Sequence, residues 1–213
     1  MASKDTSISM SVIRRLPRYY RFLHDLKENG VQRISSRELA QRMGLTASQI
    51  RQDLNCFGEF GQQGYGYQVE QLCDELYRIL GLNTPSKAVL FGLGNLGHAL
   101  VNHIAFETKG VELIGVFDDS PLLIGQKVRD MTVASTDDLE AFCDTHHPEL
   151  AILCIPKKAA PALVKRLMKA GVSAFWNFSH YDINIHYPEA LVENVHLGDS
   201  LMTLSFRMDH KDF

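Results

Sequence analysis

The sequence predicts an α/β chain in which a small helical unit carrying a β-hairpin precedes a mostly parallel sheet, with one further helix at the end. Three observations carry that expectation. Residues 89–97, Val-Leu-Phe-Gly-Leu-Gly-Asn-Leu-Gly, read as a buried strand, a glycine turn and the opening of a helix. From there to about residue 178 strands and helices alternate, the pattern of a sheet covered on both faces. Upstream, Ser-x-x-Glu at 35–38 and Thr-x-x-Gln at 46–49 flank Gly44, so two capped short helices meet at a tight turn. The expected domains are 1–82, 83–198 and a C-terminal helix over 199–213.

Composition narrows the classes. A chain of 213 residues suits one large or two small domains, and no run approaches the roughly 18 apolar residues that a membrane span needs. The first ten residues are polar and lack the apolar stretch of a signal peptide. Cys56, Cys73, Cys143 and Cys154 lie far apart with no Cys-x-x-Cys pair, which points to reduced thiols in a cytoplasmic protein. The nine histidines include no His-Glu-x-x-His, so neither a metal nor a hydrolytic centre is expected. Residues 1–82 carry 11 Lys and Arg against 9 Asp and Glu, and residues 83–213 carry 11 against 16. The front piece is the more cationic, with Arg14, Arg15, Arg18 and Arg21 closely grouped. Such a cluster means nucleic acid only beside a reading motif, and is otherwise a solvated helix face.

That motif is the next feature. Residues 13–27 read as an amphipathic helix with Ile13, Leu16, Tyr20, Leu23 and Leu26 toward a core and the arginines opposite. The capped helix from Ser35 runs to Met43. The next places Ile50, Leu54 and Phe57 on its buried face and Ser48, Arg51, Gln52 and Asn55, with Gln49, on the other. Two short helices about a glycine turn match the helix-turn-helix, and Arg, Gln and Asn are the side chains that hydrogen-bond base edges. Residues 60–67, with Gln62, Gln63 and Tyr65 between glycines, read as a hairpin, the wing of a winged helix. The alternative is a small helical cap with a polar surface. A helix over 69–80 and a linker over 81–85 close the unit.

In the second unit the glycine turn meets the demands of a dinucleotide site. Gly92 allows the tight turn, Gly94 lets backbone approach a pyrophosphate, and Gly97 lets the helix lie close on the strand. Leu93, Asn95 and Leu96 complete the turn, and the helix over 96–106 offers its unpaired N–H groups and positive end to phosphate. Apolar residues at Leu96, Ala99, Leu100 and Ile104 mark its core face. The next strand, 111–117, ends at Asp118 and Asp119, about 20 residues on, where a ribose-binding acid is required. Two acids with no neighbouring arginine favour NADH and NAD+ over their phosphorylated relatives, with FAD as a lesser candidate. The bland alternative is a structural turn in a nucleotide-free domain.

A minor strand near 131–134, a helix from Ser135 to about His146, a strand over 150–155 ending at Pro156, a helix over 159–170 and a strand over 174–178 ending in Asn177-Phe178 follow. The resulting sheet is Rossmann-like, with ligands expected at the strands' carboxyl ends. From Asp199 a helix with Leu201, Met202, Leu204, Phe206 and Met208 has no single apolar stripe. It fits docking on a second subunit, or else on its own sheet.

Taken together, the residues resemble the bacterial redox-sensing transcriptional repressors of the Rex family. The resemblance rests on 15–21 (Arg-Leu-Pro-Arg-Tyr-Tyr-Arg), 34–40, 49–54 (Gln-Ile-Arg-Gln-Asp-Leu), 57–61 (Phe-Gly-Glu-Phe-Gly) with 64–67, the glycine turn, Phe117-Asp118, Ile155-Pro156 and Trp176-Asn177-Phe178. It implies a homodimer, not an enzyme, whose winged helices bind palindromic double-stranded operator DNA and release it when NADH replaces NAD+. The glycine turn and Asp118 would hold pyrophosphate and adenosine ribose. Pro156, Asn177 and Phe178 would line the nicotinamide end, and the last helix would swap onto the partner. The chain departs from the family pattern at the uncharged wing residues Gln62-Gln63, at His103 and at His196-Leu197. The rival readings are an NAD-dependent oxidoreductase and a sensor of another nucleotide such as CoA.

Overall fold

The computed structural model describes residues 8–58, 60–62 and 65–210, and the chain divides between Thr84 and Pro85 into two compact units. In the first, the helix expected over 13–27 starts later, as α2 (Leu16–Glu28), and a separate short helix, α1 (Met10–Ile13), precedes it. Pro17 sits in the first turn of α2, where its missing N–H costs nothing, so a new helix starts there. The buried stripe of α2 is Leu16, Tyr19, Leu23 and Leu26. Tyr20 is only half-buried and Ile13 is exposed, so the core tyrosine is the one before the residue expected.

The chain continues through β1 (Arg33–Ile34), α3 (Ser36–Met43), α4 (Ala47–Asn55), β2 (Gly61–Gln62), β3 (Gly66–Gln68) and α5 (Val69–Ile79). The first capping box forms completely: Ser35 Oγ accepts from Glu38 N at 3.1 Å and Glu38 Oε2 accepts from Ser35 N at 2.9 Å. At the second only half forms, with Thr46 Oγ1 accepting from Gln49 N at 3.2 Å. Gly44 ends α3 in the left-handed region (φ 64°). The hairpin is present, and β1 adds to it in the order β1-β3-β2, antiparallel throughout. At two residues β1 is too short for an alternating pattern to announce it. Gly66 is obligatory there, because a Cβ would stand 2.5 Å from the Ile34 carbonyl oxygen. The result is a winged helix.

The second unit runs β4 (Ser86–Phe91), α6 (Asn95–His103), β5 (Val111–Asp118), β6 (Lys127–Val128), β7 (Met131–Thr132), β8 (Ala134–Ser135), α7 (Leu139–His146), β9 (Leu150–Leu153), α8 (Ala160–Lys169), β10 (Ala174–Asn177), α9 (Ile183–His186), β11 (Leu191–Asn194) and α10 (Leu197–Asp209). Six strands form a fully parallel sheet in the order β11-β10-β9-β4-β5-β8. That is the Rossmann winding, whose order reverses between β4 and β9 and opens a crevice there. Alternate residues of β4 feed opposite faces. Val89 and Phe91 pack with Phe117, Leu153 and α8, while Ala88 and Leu90 pack with Val116, Ile152 and α6.

Several boundaries differ from expectation. Helix α6 stops at His103, with Val101 fully buried and Ala99 exposed, because seating Gly97 on the turn rotates Val101 inward. Ser135 caps a 3-10 turn before α7 rather than α7 itself. Strand β11 and α9 had no sequence signal: β11 is an edge strand, half-buried at Val192 and exposed at Leu191, Glu193 and Asn194, so no apolar run marks it. Helix α10 begins two residues earlier than expected and buries none of its side chains, with Leu201, Met202 and Phe206 each more than half exposed.

Candidate nucleotide cavity and nucleic-acid face

The crevice between β4 and β9 is a cavity of about 640 Å³, within the range of small-ligand sites. Its floor is the glycine turn. Gly92 has φ +89°, and a Cβ there would meet the Cys154 carbonyl oxygen at 2.6 Å. At Gly97 a Cβ would fall 1.9 Å from the Gly92 oxygen, so α6 rests directly on the turn. Gly94, the N-cap of α6, has nothing within 4 Å of its absent Cβ, and no side chain caps the helix. Backbone N–H groups at that end therefore face open space, which is the cradle a pyrophosphate requires.

Asp118 ties the end of β5 to this turn. Its Oδ2 accepts from Leu93 N at 2.7 Å and its Oδ1 from Ser120 N at 2.8 Å. Each oxygen keeps a further lone pair, so the half-buried carboxylate still has room for ribose hydroxyls. Asp119 accepts from the Thr136 hydroxyl. The opposite wall is Cys154, Ile155 and Pro156 after β9, with Ala162 and Arg166 of α8. Burial pushes the Cys154 thiol up to about 12, so it stays protonated and is no nucleophile. Arg166 donates from Nε and Nη2 to Glu140 at 2.7 and 2.6 Å and from Nη2 to the Thr136 carbonyl at 2.7 Å. This hydrogen-bonded guanidinium holds the exposed Glu140 carboxyl at about 2. The residues thus fit a dinucleotide: a phosphate cradle, an acid at ribose distance in the motif, and an apolar wall.

Of the expected cofactor residues, Gly92, Gly94, Asp118, Asp119 and Pro156 meet at this cavity. Leu93 turns into the core, Gly97 is buried on the face of α6 that rests on the turn, and Asn95 and Leu96 occupy the first turn of α6 without forming the wall. Asn177 is fully buried and committed elsewhere: its amide donates to Tyr181 O at 2.8 Å and Asn194 Oδ1 at 2.7 Å, and its oxygen accepts from Ser179. Phe178 packs edge-on to Trp176, centroids 4.8 Å apart, away from the wall. Thr136 and Arg166 were missed, and with Arg166 the expectation of an arginine-free ribose end is corrected. Ala159, Ala162, Leu163 and Arg166 recur at i, i+3, i+4 and i+7, so the face of α8 was readable once the strand order was known.

In the first unit, α4 presents Ser48, Arg51, Gln52 and Asn55 to solvent, with Gln49 half-buried. Arg51 donates to Ser36 Oγ at 3.0 Å, which steadies its direction. The arginine cluster is not one solvated face. Arg15 makes a bidentate pair with buried Asp53 at 2.6 and 2.8 Å, Tyr19 donates to the same carboxylate at 2.5 Å, and Arg18 donates to the Met43 carbonyl at 2.6 Å. Arg15 therefore pins α2 to α4, because a carboxylate buried at the helix junction needs a counter-charge. Arg14 lies exposed just after α1. On the wing, Tyr65 is 68% exposed and the Arg33 guanidinium, which the sequence did not single out, stands 5.9 Å from its ring centroid. Gln63 lies outside the described residues, and of Gln62 only the β2 backbone is described. His103 is exposed, and His196 stacks obliquely on His180 at 4.5 Å.

Comparison with known proteins bears on both units. A family profile described as "Putative DNA-binding protein N-terminus" matches residues 7–55, and one described as "CoA binding domain" matches residues 83–181. The redox-sensing transcriptional repressor Rex of Caldanaerobacter subterraneus subsp. tengcongensis is 51% identical over 210 residues, which is 99% of this chain and 93% of that protein. A crystal structure of RSP in complex with β-NAD+ and operator DNA matches with TM-score 0.90 and 50% identity, over 98% of this chain and 95% of the other. RSP in complex with β-NADH gives TM-score 0.88 and 47% identity, over 98% and 97%. With half of its residues identical along almost its full length, the chain belongs to the Rex family of redox-sensing transcriptional repressors.

Proposed function

We propose that this protein binds palindromic operator DNA as a homodimer in the cytoplasm, is released by NADH and tolerates NAD+ while bound. One observation carries the reading: a polar recognition helix and an acid-anchored glycine turn occur in a chain that matches, over 98% of its length, a relative solved with both NAD+ and operator DNA. Ser48, Gln49, Arg51, Gln52 and Asn55 read base edges, with Arg14 and Arg18 toward phosphates and Tyr65, Gln62 and Gln63 at the wing. Gly92 and Gly94 give the pyrophosphate its close backbone approach, and Asp118 takes the adenosine ribose. The apolar wall of Ile155 and Pro156 receives the nicotinamide, with Asn177 and Phe178 supporting the neighbouring strand.

That wall supplies the redox sense. A positively charged ring is costly against apolar side chains without a paired charge, whereas the reduced, uncharged ring is not. A dimer that closes on the reduced form changes the spacing of two recognition helices that must match half-sites about 34 Å apart. The exposed apolar residues of α10 supply the dimer contact. No catalytic role is assigned, since the relatives matched along nearly the whole chain are transcriptional repressors. Among the described residues no helix is long and apolar enough to cross a membrane. A CoA reading, which the second profile's description favours, is opposed by the acid pair, since CoA carries a ribose phosphate that Asp118 and Asp119 repel. Operator binding measured across NADH/NAD+ ratios tests the proposal. Affinity is expected to fall by about 5- to 150-fold as NADH replaces NAD+, the usual span of such couplings, and affinity indifferent to the ratio would overturn it.

A further inference from the structure

An acid pair alone rejects a phosphate on the adenosine ribose, but an arginine within reach reverses that preference, because a guanidinium grips phosphate with two parallel N–H bonds. The fold does bring an arginine to the cavity wall. Arg166 shares it with Asp118, Asp119 and Thr136, and the Thr136 hydroxyl donates to Asp119 while its carbonyl accepts from Arg166. Coenzyme choice therefore turns on whether this guanidinium is available. Its Nε–Nη2 edge is closed by the two hydrogen bonds to Glu140, and Nη2 spends its other proton on Thr136. Glu140 also cancels the charge of Arg166, leaving the two aspartates to set the sign of the rim.

We infer that Glu140 is the residue that keeps this cavity specific for NADH: by occupying the Arg166 fork it denies a grip to coenzymes bearing a ribose phosphate. The inference rests on the NADH reading above. Glu140 stands behind Arg166 and is absent from the cavity wall, so it acts through Arg166 as a positioning residue. Its side chain is 54% exposed, which makes replacement tolerable to the fold. Replacing its carboxylate by an amide leaves one acceptor oxygen instead of two, which frees half of the fork, and shifts the rim by one unit toward positive.

The test is calorimetric titration of the full-length protein with NADH and with NADPH. In Glu140→Gln, NADPH binding is expected to tighten about tenfold, the size of one charge interaction at a few ångströms in a partly exposed site, while NADH binding stays within about twofold. Glu140→Ala, which leaves no amide to reach Arg166, should move in the same direction. The gain should vanish in the double variant Glu140→Gln/Arg166→Gln, an outcome that a merely structural role of Glu140 does not produce. An unchanged NADPH-to-NADH ratio in both single variants, or a gain that survives the loss of Arg166, overturns the inference. Wild-type protein that binds NADPH but not NADH overturns the coenzyme reading itself.

Discussion

Two glycines of one turn should separate folding from binding. At Gly97 an added Cβ would lie 1.9 Å from the Gly92 oxygen, whereas real Cβ contacts essentially never fall below 3.0 Å. Gly97→Ala must therefore push α6 off the turn by about 1.1 Å, an overpacking that costs about 1–3 kcal/mol. At about 4 °C per kcal/mol, the second unit should melt roughly 4–12 °C lower. Gly94→Ala meets nothing within 4 Å and sits at φ −68°, which alanine adopts. A poorer N-cap and a stiffer unfolded chain offset one another, so its stability should stay within about 0.5 kcal/mol. Its methyl, however, stands in the cradle at the open end of α6. Calorimetric melting with NADH titration should then show Gly94→Ala with an unchanged midpoint and NADH affinity down tenfold or more, and Gly97→Ala impaired in both. Normal NADH binding by Gly94→Ala, or a wild-type midpoint in Gly97→Ala, would show that the two glycines do not divide these roles.

Four other outcomes are expected. Asp53→Ala strands the Arg15 charge and the buried Tyr19 hydroxyl, and should cost the first unit about 3 kcal/mol, the low end for breaking a buried pair because Arg15 is partly exposed. Desolvation pushes the Asp53 carboxyl up, but hydrogen bonds from Arg15 and Tyr19 together outweigh it and hold it below the ordinary 3.8. Its contribution is therefore fully present above the unfolded value of about 4 and lost as the pH falls below it, so acid unfolding of Asp53→Asn, followed by circular dichroism, should lack that segment. Arg51→Ala should lose about 1–3 kcal/mol on operator and much less on unrelated DNA in a fluorescence-anisotropy assay; equal losses on both would reduce Arg51 to a phosphate contact. Leu201→Asp, placed among the exposed apolar residues of α10, should shift the protein from dimer to monomer in sedimentation, and an unaltered dimer would remove α10 from the interface.

The chain announced those parts of its fold whose chemistry is local. Ser35 with Glu38, Gly44, Pro17 and the glycine turn each act within a few residues, and each sits where a cap, turn or helix start was expected or explains a shifted boundary. Parallel strands such as β4 and β9, buried on both faces, gave continuous apolar runs. What stayed hidden depended on tertiary arrangement. Strand β11 pairs along one edge only, so its residues carry no burial pattern. Tyr19 displaced Tyr20 in the core because, of the two tyrosines, it is the one that donates to Asp53, a partner 34 residues away. Asn177 was legible as a polar residue at a strand end, but not as the side chain that joins β10 to β11. Arg166 reaches the cavity only because the sheet reverses its order between β4 and β9, which no local pattern encodes.

If one conformational equilibrium governs both ligands, NADH and operator must act on each other reciprocally. NADH affinity should be measured by titration with and without a saturating operator duplex, at fixed salt. Thermodynamic linkage requires the duplex to weaken NADH binding by the same factor by which NADH weakens operator binding. Matching factors well above one are the predicted result, and an NADH affinity untouched by operator would contradict it.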